Sequence, residues 1–170
     1  YKRQLNLSLS FFLLVYTNKN HLKTILFIFS CFIVGMISEI VGVKFGIIFG
    51  DYKYGYALGY KIFEVPILIG ANWAILTISC SALSATLFDS IYSKILVGVF
   101  FMVMLDAVIE PIAPLLDFWE FNGGKAPLKN YLGWILVALP LNYLYHVLNI
   151  KVNGSFTPVS YTHLTLPTTP

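Results

Sequence analysis

The stretch IYSKILVGVFFMVMLDAVIEPI, residues 91–112, decides the fold. It has the length of a bilayer-crossing helix, about 20 mostly apolar residues, and its acids, Asp106 and Glu110, stand late in it. Three further runs qualify: Thr24 to Val43 with Glu39 near its end, Ile62 to Leu87 with Glu64 near its start, and Tyr131 to Ile150. Leu5 to Tyr16 is too short to cross alone and reads as the end of a partial helix. Backbone groups in lipid must be satisfied within the segment, and no alternating barrel pattern is present, so the spans are helices. The expected fold is all-α: a polytopic transmembrane helix bundle of four full spans plus a partial N-terminal one.

Composition agrees. Of 170 residues, 58% are hydrophobic and 11% charged, against roughly 25% charged in a soluble domain. Mean hydropathy is +0.77. The net charge of +3 comes from scattered lysines with no basic stripe, which argues against nucleic acid as a partner. Cys31 and Cys80 stand alone in apolar runs and read as packing residues. No His/Cys/Asp/Glu set has metal-ligand spacing, and the expectation is no metal and no cofactor. His146 reads as an interfacial residue.

Residues 1–158 read as a single membrane domain, expected to lack its native N-terminus because Tyr1 is not an initiator Met. Residues 159–170 shift abruptly to Thr and Pro and resemble a sequence-adapter read-through. This non-native tail, with His163, is left out of the functional reading.

The connections alternate in length. Asn18 to Lys23 and Phe88 to Ser90 are short, and Lys44 to Lys61 and Ala113 to Asn130 are long. Four lysines fall on the short-loop side and five on the other, with Lys2 and Arg3 joining the latter only if the first segment crosses. Basic residues therefore leave the orientation open. Acids do not divide evenly: seven of eight collect at the long-loop edge, and only Asp89 lies opposite.

Asp106 and Glu110, spaced i, i+4, share one helix face. Two acids that close in apolar surroundings favour retaining a proton, and a neutral carboxylic acid in a dry pocket is a general acid. The alternative is that they mark the helix end and meet water or lysines. Glu39 has the same two readings, with Lys44 as its neutralising partner. Glu64 is either catalytic or a first-turn acid complementing the helix dipole beside Pro66. Gly42, Gly46 and Gly50 repeat every fourth residue, as do Gly55 and Gly59, a spacing that permits close packing. Tyr52, Tyr54, Tyr56 and Tyr60 accompany them, as an interfacial aromatic belt or as a cap over a site. Aromatic faces attract cations. Asn72 and Trp73 lie deeper in the second span, and a buried Asn needs partners.

Several ordered blocks resemble one family. Glu39-Ile-Val-Gly-Val-Lys-Phe-Gly46, Phe49-Gly-Asp-Tyr-Lys-Tyr-Gly55, Gly59-Tyr-Lys-Ile-Phe-Glu-Val-Pro66 and Asn72-Trp73 are similar to membrane carotenoid-biosynthesis proteins that include carotenoid 1,2-hydratases and bisanhydrobacterioruberin hydratase. Leu105-Asp-Ala-Val-Ile-Glu-Pro111, Leu116-Asp-Phe-Trp119 and Asn130-Tyr-Leu-Gly-Trp134 fit the same family. The resemblance implies addition of water across the terminal C1–C2 double bond of an acyclic end group, of the lycopene or γ-carotene type, giving a tertiary alcohol. It implies a carotenoid substrate within the bilayer, water as co-substrate, a bacterial cytoplasmic (inner) membrane location, and other carotenoid-pathway enzymes as partners. On that reading Asp106, Glu110, Glu39 and Glu64 are the catalytic candidates. Tyr52, Tyr54, Asn72, Trp73, Asp117 and Trp119 are the substrate-binding ones. The rival readings are a non-catalytic carotenoid scaffold and a small transporter with acids relaying protons.

Overall fold

A computed structural model describes residues 2–152. In chain order it contains α1 (Lys2–Thr17), α2 (Leu22–Phe45), β1 (Tyr52–Tyr54), β2 (Lys61–Ile62), β3 (Val65–Pro66), α3 (Ile67–Leu87), α4 (Ile91–Ile109), a 3-10 turn (Pro114–Leu116), β4 (Trp119–Phe121) and α5 (Leu128–Val147). The protein is mostly helical, and α2, α3 and α4 are long and apolar enough to cross a membrane. The expected fourth span became α5, 20 residues long but interrupted by Asn130, Pro140, Asn142 and His146. That polarity keeps it out of the set of clearly apolar spans. The expected tail at 159–170 lies outside the described residues.

Chain chemistry sets the helix ends. α2 stops where Gly46 adopts φ +62° and its N–H bonds back to the Gly42 carbonyl, a left-handed cap that glycine adopts without strain. α4 stops at Glu110 because Pro111 has no N–H to continue the ladder. The second span starts later than the sequence suggested. Lys61–Ile62 and Val65–Pro66 pair as a tight antiparallel hairpin, so the helix begins at Ile67 and Glu64 stands before it, not in its first turn.

α3 is the axis. It packs on α1, α2, α4 and α5, and most of its length is buried. Lipid supplies no hydrophobic force between helices, so close approach and polar contacts must hold them. Gly35 of α2 lies directly against Trp73 of α3, where any Cβ would overlap the indole. In the other half of the bundle Ser81 Oγ donates to Asn142 Oδ1 at 2.7 Å, joining α3 to α5.

Above the long-loop ends of the helices, β1 and β4 form a two-stranded antiparallel clasp, pairing Tyr52 with Phe121 and Tyr54 with Trp119. It ties the loop before α3 to the loop after α4. Asp117 Oδ2 accepts the N–H groups of Tyr56 (2.8 Å) and Ala57 (3.1 Å) across the same junction. Lys129 Nζ donates to the Gly46 carbonyl at 2.7 Å.

Candidate active site

Beneath the clasp is a partly open pocket walled by residues of α2, α3, α4, α5 and both clasp strands. Three carboxyl groups enter it: Glu39, Asp106 and Glu110. Glu39 and Asp106 are buried and Glu110 is half-buried. No lysine or arginine lines the pocket.

Glu39 is held by three donors. The Trp73 indole N–H donates to Oε1 at 2.9 Å. The Tyr54 hydroxyl donates to Oε2 at 2.8 Å, and the Tyr52 hydroxyl donates to the same oxygen. Indole N–H is a donor only, so Oε1 is an acceptor there. Burial, reinforced by the neighbouring Glu39 charge, pushes both clasp phenols above the ordinary tyrosine range, so they remain protonated donors. The expected neutralising partner, Lys44, is exposed and lies over the Phe45 ring instead.

Asp106 and Glu110, one helical turn apart, present their carboxyl groups to the pocket side by side. Asn130 Nδ2 donates to Asp106 Oδ2 at 2.6 Å and reaches Glu110 Oε1 at 3.5 Å. The Trp119 indole N–H donates to Glu110 Oε1 at 3.0 Å. Burial raises the Glu110 carboxyl above the usual carboxylate range, although the bond from Trp119 pulls the other way.

Aromatic rings form the remaining walls. Trp73 and Trp134 stack with centroids 4.3 Å apart. Phe49 packs against both, and Tyr52 lies 5.2 Å from Phe121.

Of the residues singled out from the sequence, Asp106, Glu110, Glu39, Tyr52, Tyr54, Asn72, Trp73 and Trp119 meet at this pocket. Glu64 does not. It is exposed at the hairpin tip with φ +67° and contributes nothing to the walls. Asp117 is also outside, exposed and engaged in fastening the loop junction. Tyr56 and Tyr60 point away, 84% and 78% exposed. The sequence reading missed Asn130 and Trp134 as site residues, although their i, i+4 spacing in the first turns of α5 repeats that of Asp106 and Glu110. It also missed Phe49 and Phe121, which come in with the loops.

Fold and site together define a membrane protein with three carboxyl groups gathered in an aromatic pocket at one edge of a helical bundle. The chain belongs to the carotenoid biosynthesis protein family, whose model matches residues 5–167. Neither a curated protein nor a solved structure matches it.

Proposed function

We propose that the protein is a carotenoid 1,2-hydratase of a bacterial cytoplasmic membrane, adding water to the terminal C1–C2 double bond of an acyclic carotenoid end group. The observation that carries this reading is the placing of Asp106 and Glu110 side by side, both reached by Asn130, in an aromatic-walled pocket that no lysine or arginine lines. Such a pair stores one proton next to oil, which protonation of an alkene requires.

The pair delivers that proton to C2, and a tertiary cation develops at C1. The stacked Trp73 and Trp134 faces and the Glu39 carboxylate stabilise it. Water adds its oxygen to C1. Glu39 Oε1, which accepts only the Trp73 bond, keeps a lone pair to orient that water and take its proton. Proton exchange through pocket water then recharges the pair, so the net change is one water gained. Positioned acid and base groups each contribute about 10²–10⁴-fold.

A scaffold needs the aromatics but not three carboxyls in one apolar pocket, and the two readings separate cleanly. The chain is expressed in a lycopene-producing bacterium and its pigments are analysed by chromatography and mass spectrometry. A product heavier by one water is expected. Unchanged pigment, with the protein present in the membrane, would refute the hydratase.

A further inference from the structure

Two facing residues of the clasp serve different carboxyl groups. Tyr54 of β1 and Trp119 of β4 are partners across the strands, with ring centroids 6.2 Å apart. The Tyr54 hydroxyl donates to Glu39 Oε2 at 2.8 Å, whereas the Trp119 indole N–H donates to Glu110 Oε1 at 3.0 Å. One strand pair therefore reaches an acid on α2 and another at the end of α4.

Tyr54 is itself held in place. Its carbonyl accepts from Lys61 Nζ at 2.7 Å. The next residue, Gly55, donates its N–H to the Phe118 carbonyl at 2.9 Å, and any Cβ there would overlap Asp117. A buried side chain on a pinned backbone presents its hydroxyl from a fixed point. Tyr52 and Tyr54 both bond Oε2, which leaves Oε1 with the Trp73 bond among the described residues. The two phenols thus set which oxygen of Glu39 stays available.

That matters because a tertiary cation at C1 has two fates. Water can add its oxygen to C1 and give its proton to Glu39. Otherwise a C1 methyl group sheds a proton to water, and its C–H electron pair closes a terminal methylene, with no change in composition. Only the first fate needs a water molecule aimed at C1.

Taking the hydratase reading as its basis, we infer that Tyr54 is a positioning residue for water capture: by holding Glu39 it makes the cation gain water and not lose a proton. Trp119, facing it across the clasp, serves the protonation step through Glu110.

Membranes containing the protein and lycopene are incubated in D2O, and the pigments are analysed by mass spectrometry against membranes lacking the protein. Protonation leaves deuterium at C2 in either fate, so hydrated pigment and deuterated pigment without added water report the two fates separately. Tyr54→Phe removes only the hydroxyl. It is expected to lower hydrated pigment about tenfold while the deuterated share without water rises. Tyr52→Phe strips the same Oε2 and should move the ratio in the same direction. Trp119→Phe should lower both products together at the wild-type ratio. All three positions belong to one clasp, so mere loosening would shift all three ratios alike. That result, a wild-type ratio in both tyrosine variants, or loss of both products in both of them overturns the inference. Hydration by the wild type with unmoved tyrosine ratios removes the inference alone. A wild-type protein that adds neither water nor deuterium removes the hydratase reading, and the inference with it.

Discussion

The Trp73 indole N–H donates to Glu39 Oε1 at 2.9 Å, and the same ring rests directly on Gly35, one turn before Glu39 on α2. One side chain thus fixes both the helix spacing and the carboxylate. With the Tyr52 and Tyr54 hydroxyls added, Glu39 accepts three hydrogen bonds and meets no lysine or arginine in the pocket. Glu39→Gln presents an amide N–H₂ to one of those donors and leaves it unpaired. The expected cost is about 1–3 kcal/mol, seen as a lower thermal midpoint in detergent together with loss of water addition.

The Asp106–Glu110 pair is expected to be indispensable for chemistry and dispensable for insertion. Asp106→Asn and Glu110→Gln should each lower product formation by about 10²–10⁴-fold, with normal protein levels in isolated membranes. Wild-type amounts of hydroxylated pigment in both variants would exclude the pair.

Glu64→Gln provides the contrast. An exposed hairpin-tip acid outside the pocket should change product yield little. A large loss there would place the reaction somewhere other than beneath the clasp.

Stability should respond to pH through Glu110. Its folded-state value is raised by burial, so the folded protein binds that proton more tightly than the unfolded chain. The resulting stabilisation is complete below the ordinary carboxylate value and is lost as pH rises through the raised one. Thermal midpoints in detergent should therefore fall from acidic toward neutral pH, and Glu110→Gln should flatten that slope.

Orientation follows from α1. Gln4 Nε2 donates to the Ala57 carbonyl at 2.9 Å, which sets the start of α1 at the long-loop side. Lys2 and Arg3 then join that side, giving seven basic residues against four. The long loops and the pocket should face the cytoplasm. A cysteine at Gly123, in open space, on a background lacking Cys31 and Cys80, should react with an impermeant thiol reagent only after cells are opened.

Much of this was legible before any coordinates. α2 to α4 follow from uninterrupted apolar length, and the i, i+4 spacing of Asp106 and Glu110 fixes their shared face. The acids' common edge follows from loop alternation. Glu64 was misplaced because an apolar run with Pro66 does not separate a helix start from a two-residue hairpin. Phe49, Phe121 and Trp134 were invisible for a different reason. Strands of three residues carry no measurable alternation, and the pairing of Tyr52 with Phe121 is set by how the helices stand, not by local sequence.

The clasp also dictates an order of assembly. Its two strands are separated in the chain by α3 and α4, so neither finds its mate until both helices have been threaded into the membrane. Tyr52 and Tyr54 reach Glu39 only through that late pairing. A nascent chain halted after α3 would carry Glu39 with an incomplete set of donors, and the pocket beneath the clasp would be among the last parts of the protein to mature.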